Sequence, residues 1–262
     1  MTAIVRSEWI KMRTTMIPLV MTVIAVAVNA LLLLVIFLSR GGANDGGGTF
    51  ISPGYTVPHT TQQLRNLVGS GFQGYILALL LGVLVITVEF RHKTVTTSFL
   101  VTPRRPVFVA GKLLIAALLG IGLAVVMLLT SVVGGGITLA ARGGSFSDML
   151  RQVPSVAPGL ILVFALFAVL GVGVGSVLTN QVAALIVSLG WFIILEGILI
   201  SLVHGAERWV PTGAATAAAN LTRGRGADFG LFTWWQGTLL MLFYGLAIAT
   251  LGSLILTRRD IT

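Results

Sequence analysis

Six long apolar runs, each near the length that a helix needs to cross a bilayer, constrain this chain more than any motif does. They lie at about 17–38, 72–88, 113–133, 158–178, 182–203 and 233–256. A helix takes about 20 residues to cross a hydrocarbon core about 30 Å thick. Composition agrees: 56% of residues are hydrophobic and 10% charged, with a mean hydropathy of +0.99. An ordinary soluble domain carries about 25% charged residues. The expected fold is an all-α integral membrane protein, a single transmembrane domain over residues 1–262.

Charge is confined to the edges of these runs. The net +9 does not form a basic stripe interleaved with aromatics, so nucleic acid is not an expected partner. Placed where it is, the charge orients helices and meets anionic lipid. There is no cysteine, which excludes disulfides and Cys-based zinc or redox sites. With termini on the same side as the 89–112 stretch, ten Lys and Arg lie inside against seven in the much longer loops outside. Both termini are therefore expected in the cytoplasm. Fourteen Arg against three Lys, with abundant Ala, Gly and Val, suits a high-GC bacterial genome and hence a bacterial plasma membrane.

Ahead of the first run, residues 2–15 place Val5, Trp9, Met12 and Met16 on one helical stripe with Ser7, Lys11 and Thr14 opposite. Such a segment lies in the headgroup plane as an interfacial helix, or is a frayed basic N-terminus. The first run exceeds the 7 to 15 residues of a signal-peptide core and is expected to stay as a span containing one polar residue, Asn29. Residues 39–70, rich in Gly, Thr and Pro, read as an external loop. The second run, 72–88, carries Gln73 near its outer end.

Between the second and third runs stands EFRHKTVTTSFLVTPRRPVFVAGK, residues 89–112. Glu89 and Lys93 have the favourable order for a helix pair, and Pro103 and Pro106 bracket Arg104 and Arg105. By residue physics alone this is a basic loop that pins topology. Gly134, Gly135 and Gly136 are expected to break or kink the third run. Gly171 and Gly175 in the fourth have GxxxG spacing, which permits close helix approach but recurs by chance in Gly-rich apolar helices. The fifth run holds Glu196, the one acid deep in an apolar stretch. Residues 209–220, WVPTGAATAAAN, are apolar but too short to cross, and are expected to dip back into the membrane.

Catalytic chemistry is sparse. His59, His92 and His204 lie in separate loops without metal-ligand spacing, and no GxSxG elbow is present. Gly111-Lys112-Leu113 lacks the Ser/Thr and upstream glycine of a phosphate loop.

SEWIKMRTT before the first run and VEFRHKTVTTSFLVTPRRPVFVAGKLL after the second resemble the ABC type-2 transporter permeases of actinobacteria. PTGAATA before the last run fits as well, and the resemblance extends over the whole six-span layout. It implies a membrane-embedded exporter subunit and no enzyme in this chain. ATP and Mg would be bound by a partner ATPase subunit. It implies that the N-terminal segment is a connecting helix and that the 91–105 stretch is a coupling helix docked on that ATPase. Arg91, His92, Lys93, Thr94, Val95, Thr96, Thr97, Phe99, Arg104 and Arg105 would then form the coupling contact. It further implies pairing with a second permease chain, alike or different, with the route lined largely by the second and fifth spans. Short re-entrant helices would precede the last span. Glu196, Asn29 and Gln73 are the polar candidates for that route. For Glu196 a helix-anchor role stands beside the pathway role; its expected partner is water, a backbone carbonyl, the second permease or the cargo.

Two other readings stay open. An ion-coupled secondary transporter would use intramembrane ionisable residues, and usually shows internal repeats that are not found here. A non-transporting membrane scaffold is the third. Apolar spans and the absence of a charged pore lining fit a lipid, drug-like or amphipathic peptide cargo.

Overall fold

The computed structural model describes residues 10, 15–38, 60–92, 105–178, 180–221 and 232–258. Among these every regular element is helical, and six helices or helix combinations are long and apolar enough to cross a membrane. This is a multi-pass, all-helical chain. The first span is α1, Ile17–Leu38. The second combines α2, Thr61–Val68, a 3-10 turn at Ser70–Gly74, and α3, Tyr75–Arg91. The third is α4, Arg105–Ala140; α5, Phe146–Leu150, follows it. The fourth is α6, Val153–Val177. The fifth is α7, Gln181–Gly190, a π-helical turn at Trp191–Leu195, and α8, Glu196–Leu202. After a 3-10 turn at Ala206–Arg208 come α9, Pro211–Ala218, and the sixth span within α10, Trp234–Arg258.

Burial is unequal among the spans, and it decides which helices can be moved only together. The second and fourth spans form the buried centre; the first, fifth and sixth expose most of their surface. Where α3 crosses α6 the backbones nearly touch. A Cβ on Gly82 would lie 1.9 Å from the Ala168 carbonyl oxygen, and one on Gly171 2.0 Å from that of Leu79. Gly175 meets Ile86 in the same seam. The GxxxG spacing of α6 is thus used, and the reason is steric: without a hydrophobic drive between helices in lipid, close backbone packing holds them together.

Three expectations need correction. The second span begins eleven residues before Phe72, at Thr61. Thr60 and Gln63 close a capping box there, and Leu64, Leu67 and Val68 bury an apolar face that a Gly/Thr-rich loop reading overlooked. The glycine triplet does not break the third span, since α4 continues to Ala140. In hydrocarbon a backbone bonded within its own helix has no cheaper alternative. The missing side chains instead admit Leu33 of α1 against Gly134 and the Phe146 ring against Gly136. The fourth span starts at Val153, so that Pro158 lies inside it and not at its edge. Of the 2–15 segment only Ile10 and Thr15 are among the described residues.

Candidate functional site

A cavity of about 560 Å³ separates the fifth span from the α3–α6 centre. Its walls include Leu79 of α3, Leu170 of α6, Trp191 and Phe192 of the π turn, and Trp209 and Tyr244. The wall is apolar almost throughout. The exceptions are Ser188, which is buried and whose hydroxyl has no hydrogen-bond partner among the described residues, and Tyr244, whose hydroxyl donates to the Trp209 carbonyl.

The fifth span reaches the body of the protein through few side chains, and each falls one helical turn from the last. Phe192 packs its ring against the Tyr75–Phe167 pair, with centroids 6.3 and 5.3 Å away. Tyr75 and Phe167 are themselves 4.5 Å apart, and Phe72 lies 5.1 Å from Tyr75. Ser188, Phe192 and Glu196 repeat at i, i+4 and i+8, which puts them on one face. Ile193 and Ile194 of the π turn point away and are more than half exposed.

Glu196 is 2% exposed, and the Thr212 hydroxyl donates a hydrogen bond to its carboxylate. Thr212 is the second residue of α9, behind Pro211. The partner is therefore a side chain of this same chain, a possibility missing from those the sequence suggested. The carboxyl group thus lies beside the first turn of α9, whose dipole favours negative charge, and Val210 in the cap position offers no side-chain cap. Glu196 is not among the residues lining the cavity. Thr212→Val is expected to lower stability in detergent by about 1 kcal/mol, typical of one intramolecular hydrogen bond. Glu196→Gln, whose amide oxygen still accepts from Thr212, should lower it by less.

A second buried carboxylate stands at the opposite end of the bundle. Glu89 of α3 accepts from Lys112 of α4 at 2.7 Å, with both side chains almost wholly buried. The ammonium also lies 5.5 Å from the centroid of the Phe108 ring. Lys112, which the sequence places at the edge of a loop, is well inside a helix because α4 begins at Arg105. The pair clamps together the two helices that lead into and out of residues 93–104.

Of the expected coupling residues, Arg91 ends α3 and donates to Gln181 at 3.5 Å, His92 caps that helix, and Arg105 begins α4. Lys93, Thr94, Val95, Thr96, Thr97, Phe99 and Arg104 lie outside the described residues. Asn29 and Gln73 come together, but away from Glu196: both line a separate pocket between α1 and the 3-10 turn of the second span. Sequence reasoning missed Thr212, Ser188 and Ser70. Single hydroxyls in apolar runs carry no periodic signal, and only the turn at Pro211 hinted at the first.

Comparison with family models, with curated proteins and with solved structures finds no match.

Proposed function

We propose that this chain is the membrane-spanning permease subunit of an ATP-driven exporter of the ABC type-2 kind, with ATP hydrolysed by a separate subunit. The observation that carries this reading is the apolar cavity of about 560 Å³ between the fifth span and the α3–α6 centre. It suits a lipid, a drug-like molecule or an amphipathic peptide, because an apolar pocket with a few polar groups binds an apolar body and orients one polar end.

A mechanical route from the cytoplasmic end to that cavity follows from the packing. A force on residues 93–104 reaches α3 and α4 together, since Glu89 and Lys112 join their ends. The glycine seam passes it from α3 to α6, and Leu79 and Leu170 on these two helices form the facing cavity wall. ATP binding to a docked partner would shift the cavity between two openings through different contacts in its two states. The exposed faces of α1 and of the fifth span are where lipid or a second permease chain would lie. The polar route candidates Glu196, Asn29 and Gln73 belong to this proposal, as does a re-entrant position for α9.

Two measurements test it. Phe99→Ala should weaken co-purification with the ATPase or uncouple hydrolysis from transport, as loss of a buried aromatic anchor does; normal assembly with normal substrate-stimulated hydrolysis overturns the docking assignment. Because the chain has no cysteine, single cysteines report orientation. In intact cells an impermeant thiol reagent should label position 45 and not position 96. The reverse pattern overturns the bacterial plasma-membrane topology with cytoplasmic termini.

An ion-coupled secondary transporter is the second reading, and the break in the second span favours it, since interrupted helices near the midplane commonly form binding sites in that class. An ATPase that co-purifies with the chain decides between the two.

A further inference from the structure

The interruption of the second span lies level with the middle of α1. Asn29 sits about 18 Å from one end of α1 and about 14 Å from the other. Its amide Nδ2 donates to Thr130 Oγ1 at 3.1 Å and to Ser131 Oγ at 3.2 Å. The Gly71 N–H donates to that same Ser131 Oγ at 2.9 Å. One serine of α4 thus holds both α1 and the 3-10 turn at Ser70–Gly74, and fixes the turn at the depth of Asn29. Irregular backbone at this depth persists where it is enclosed by protein or lines a cavity. Here it does the second: a pocket of about 200 Å³ opens between α1, the turn, the start of α3 and Met127.

Two residues that line this pocket each carry a buried polar atom with no partner among the described residues, Asn29 Oδ1 and Ser70 Oγ. Asn29 is 1% exposed and Ser70 4%. Leaving such groups unmade costs about 1–3 kcal/mol each, so their joint presence at one cavity asks for a ligand. The chemistry of that ligand follows from the network. With both Nδ2 hydrogens committed, Asn29 offers only an acceptor, whereas the Ser70 hydroxyl donates or accepts. A hydroxyl on an apolar chain both donates to Asn29 and accepts from Ser70. A protonated amine is disfavoured, because no lining residue is ionisable and an uncompensated charge at this depth is costly. Ile24, Val28, Ile76, Leu77 and Met127 complete the wall and suit an alkyl chain.

We propose that the pocket at Asn29, Ser70 and Gln73 binds the hydroxyl end of a neutral, single-chain amphiphile that enters from the membrane. This site is separate from the cavity at the fifth span, and it stands whether or not an ATPase docks on the chain.

The test uses the full-length protein in phosphatidylcholine nanodiscs. The probe is a sixteen-carbon alcohol with a diazirine near the hydroxyl and a terminal alkyne, compared with its methyl ether, which accepts but does not donate. After illumination, peptide mapping should place the alcohol's label within residues 24–32 and 70–77, with at least threefold more label than the ether leaves. Ser70→Ala should cut labelling about threefold to tenfold while leaving probe-free thermal stability unchanged or raised, since the hydroxyl it removes has no protein partner. Asn29→Leu should abolish the preference for alcohol over ether; if it fails to fold, Ser70→Ala decides alone. Equal labelling by alcohol and ether, label confined to other segments as expected of a pocket that holds only water, or labelling unaffected by Ser70→Ala overturns the proposal.

Discussion

Lys112→Met should destabilise the folded chain by about 3–5 kcal/mol, the cost of removing one member of a buried ion pair. The group that loses this partner is Glu89, whose carboxylate Lys112 meets at 2.7 Å away from water. Adding Glu89→Leu to that variant should recover most of the loss, because two apolar side chains of similar volume leave no charge unpaired. A double-mutant cycle by thermal unfolding in detergent measures this directly. If the two losses simply add, the residues are not coupled and the clamp between α3 and α4 is not what holds them. The stable double variant is also the informative one for function. If the proposed ATPase docks on residues 93–104, this variant should fold yet transmit less to the cavity, so that hydrolysis continues while transport falls.

Gly82→Ala and Gly171→Ala should each cost about 3 kcal/mol or more, at the upper end of overpacking effects. The obstacle in both cases is backbone: the new Cβ would stand 1.9 Å from the Ala168 oxygen in one and 2.0 Å from the Leu79 oxygen in the other. No rotamer change relieves that contact, and α3 and α6 must separate. Since both substitutions force apart the same crossing, the double variant should lose clearly less than the sum of the two. Gly122→Ala on α4 provides the contrast. A Cβ there meets nothing within 4 Å, so the better helix propensity of alanine should stabilise by up to about 1 kcal/mol. Equal effects at all three positions would show that propensity, not the seam, sets the cost. The same crossing forms one wall of the large cavity, so a folded seam variant is expected to bind an apolar cargo more weakly as well.

The number and approximate position of the spans were legible in the sequence because they depend on one property, apolar length against bilayer thickness. Residues 17–38 show this best: α1 has the expected limits, Ile17 and Leu38. Glu196 was legible as a singular residue for the same reason, since a carboxylate within an apolar run stands out in any count. Its partner was not, because Thr212 lies sixteen positions away on a separate short helix. The role of the glycines was likewise undetermined locally. Gly171 with Gly175 and Gly134 with Gly136 are glycines in similar apolar helices, yet one pair was left between close approach and chance and the other was expected to break or kink its helix. Only the position of α3 against α6, and of α1 and α5 against α4, decided that both sets serve close approach. The pairing of Glu89 with Lys112 depended on where α4 begins, which the prolines at 103 and 106 left open by several residues. The meeting of Asn29 with Ser70 and Gln73 required the second span to start at Thr61 and break level with the middle of α1. A sequence encodes depth through hydropathy, but it encodes contact between helices only through small residues and single hydroxyls, whose meaning depends on what the fold sets opposite them.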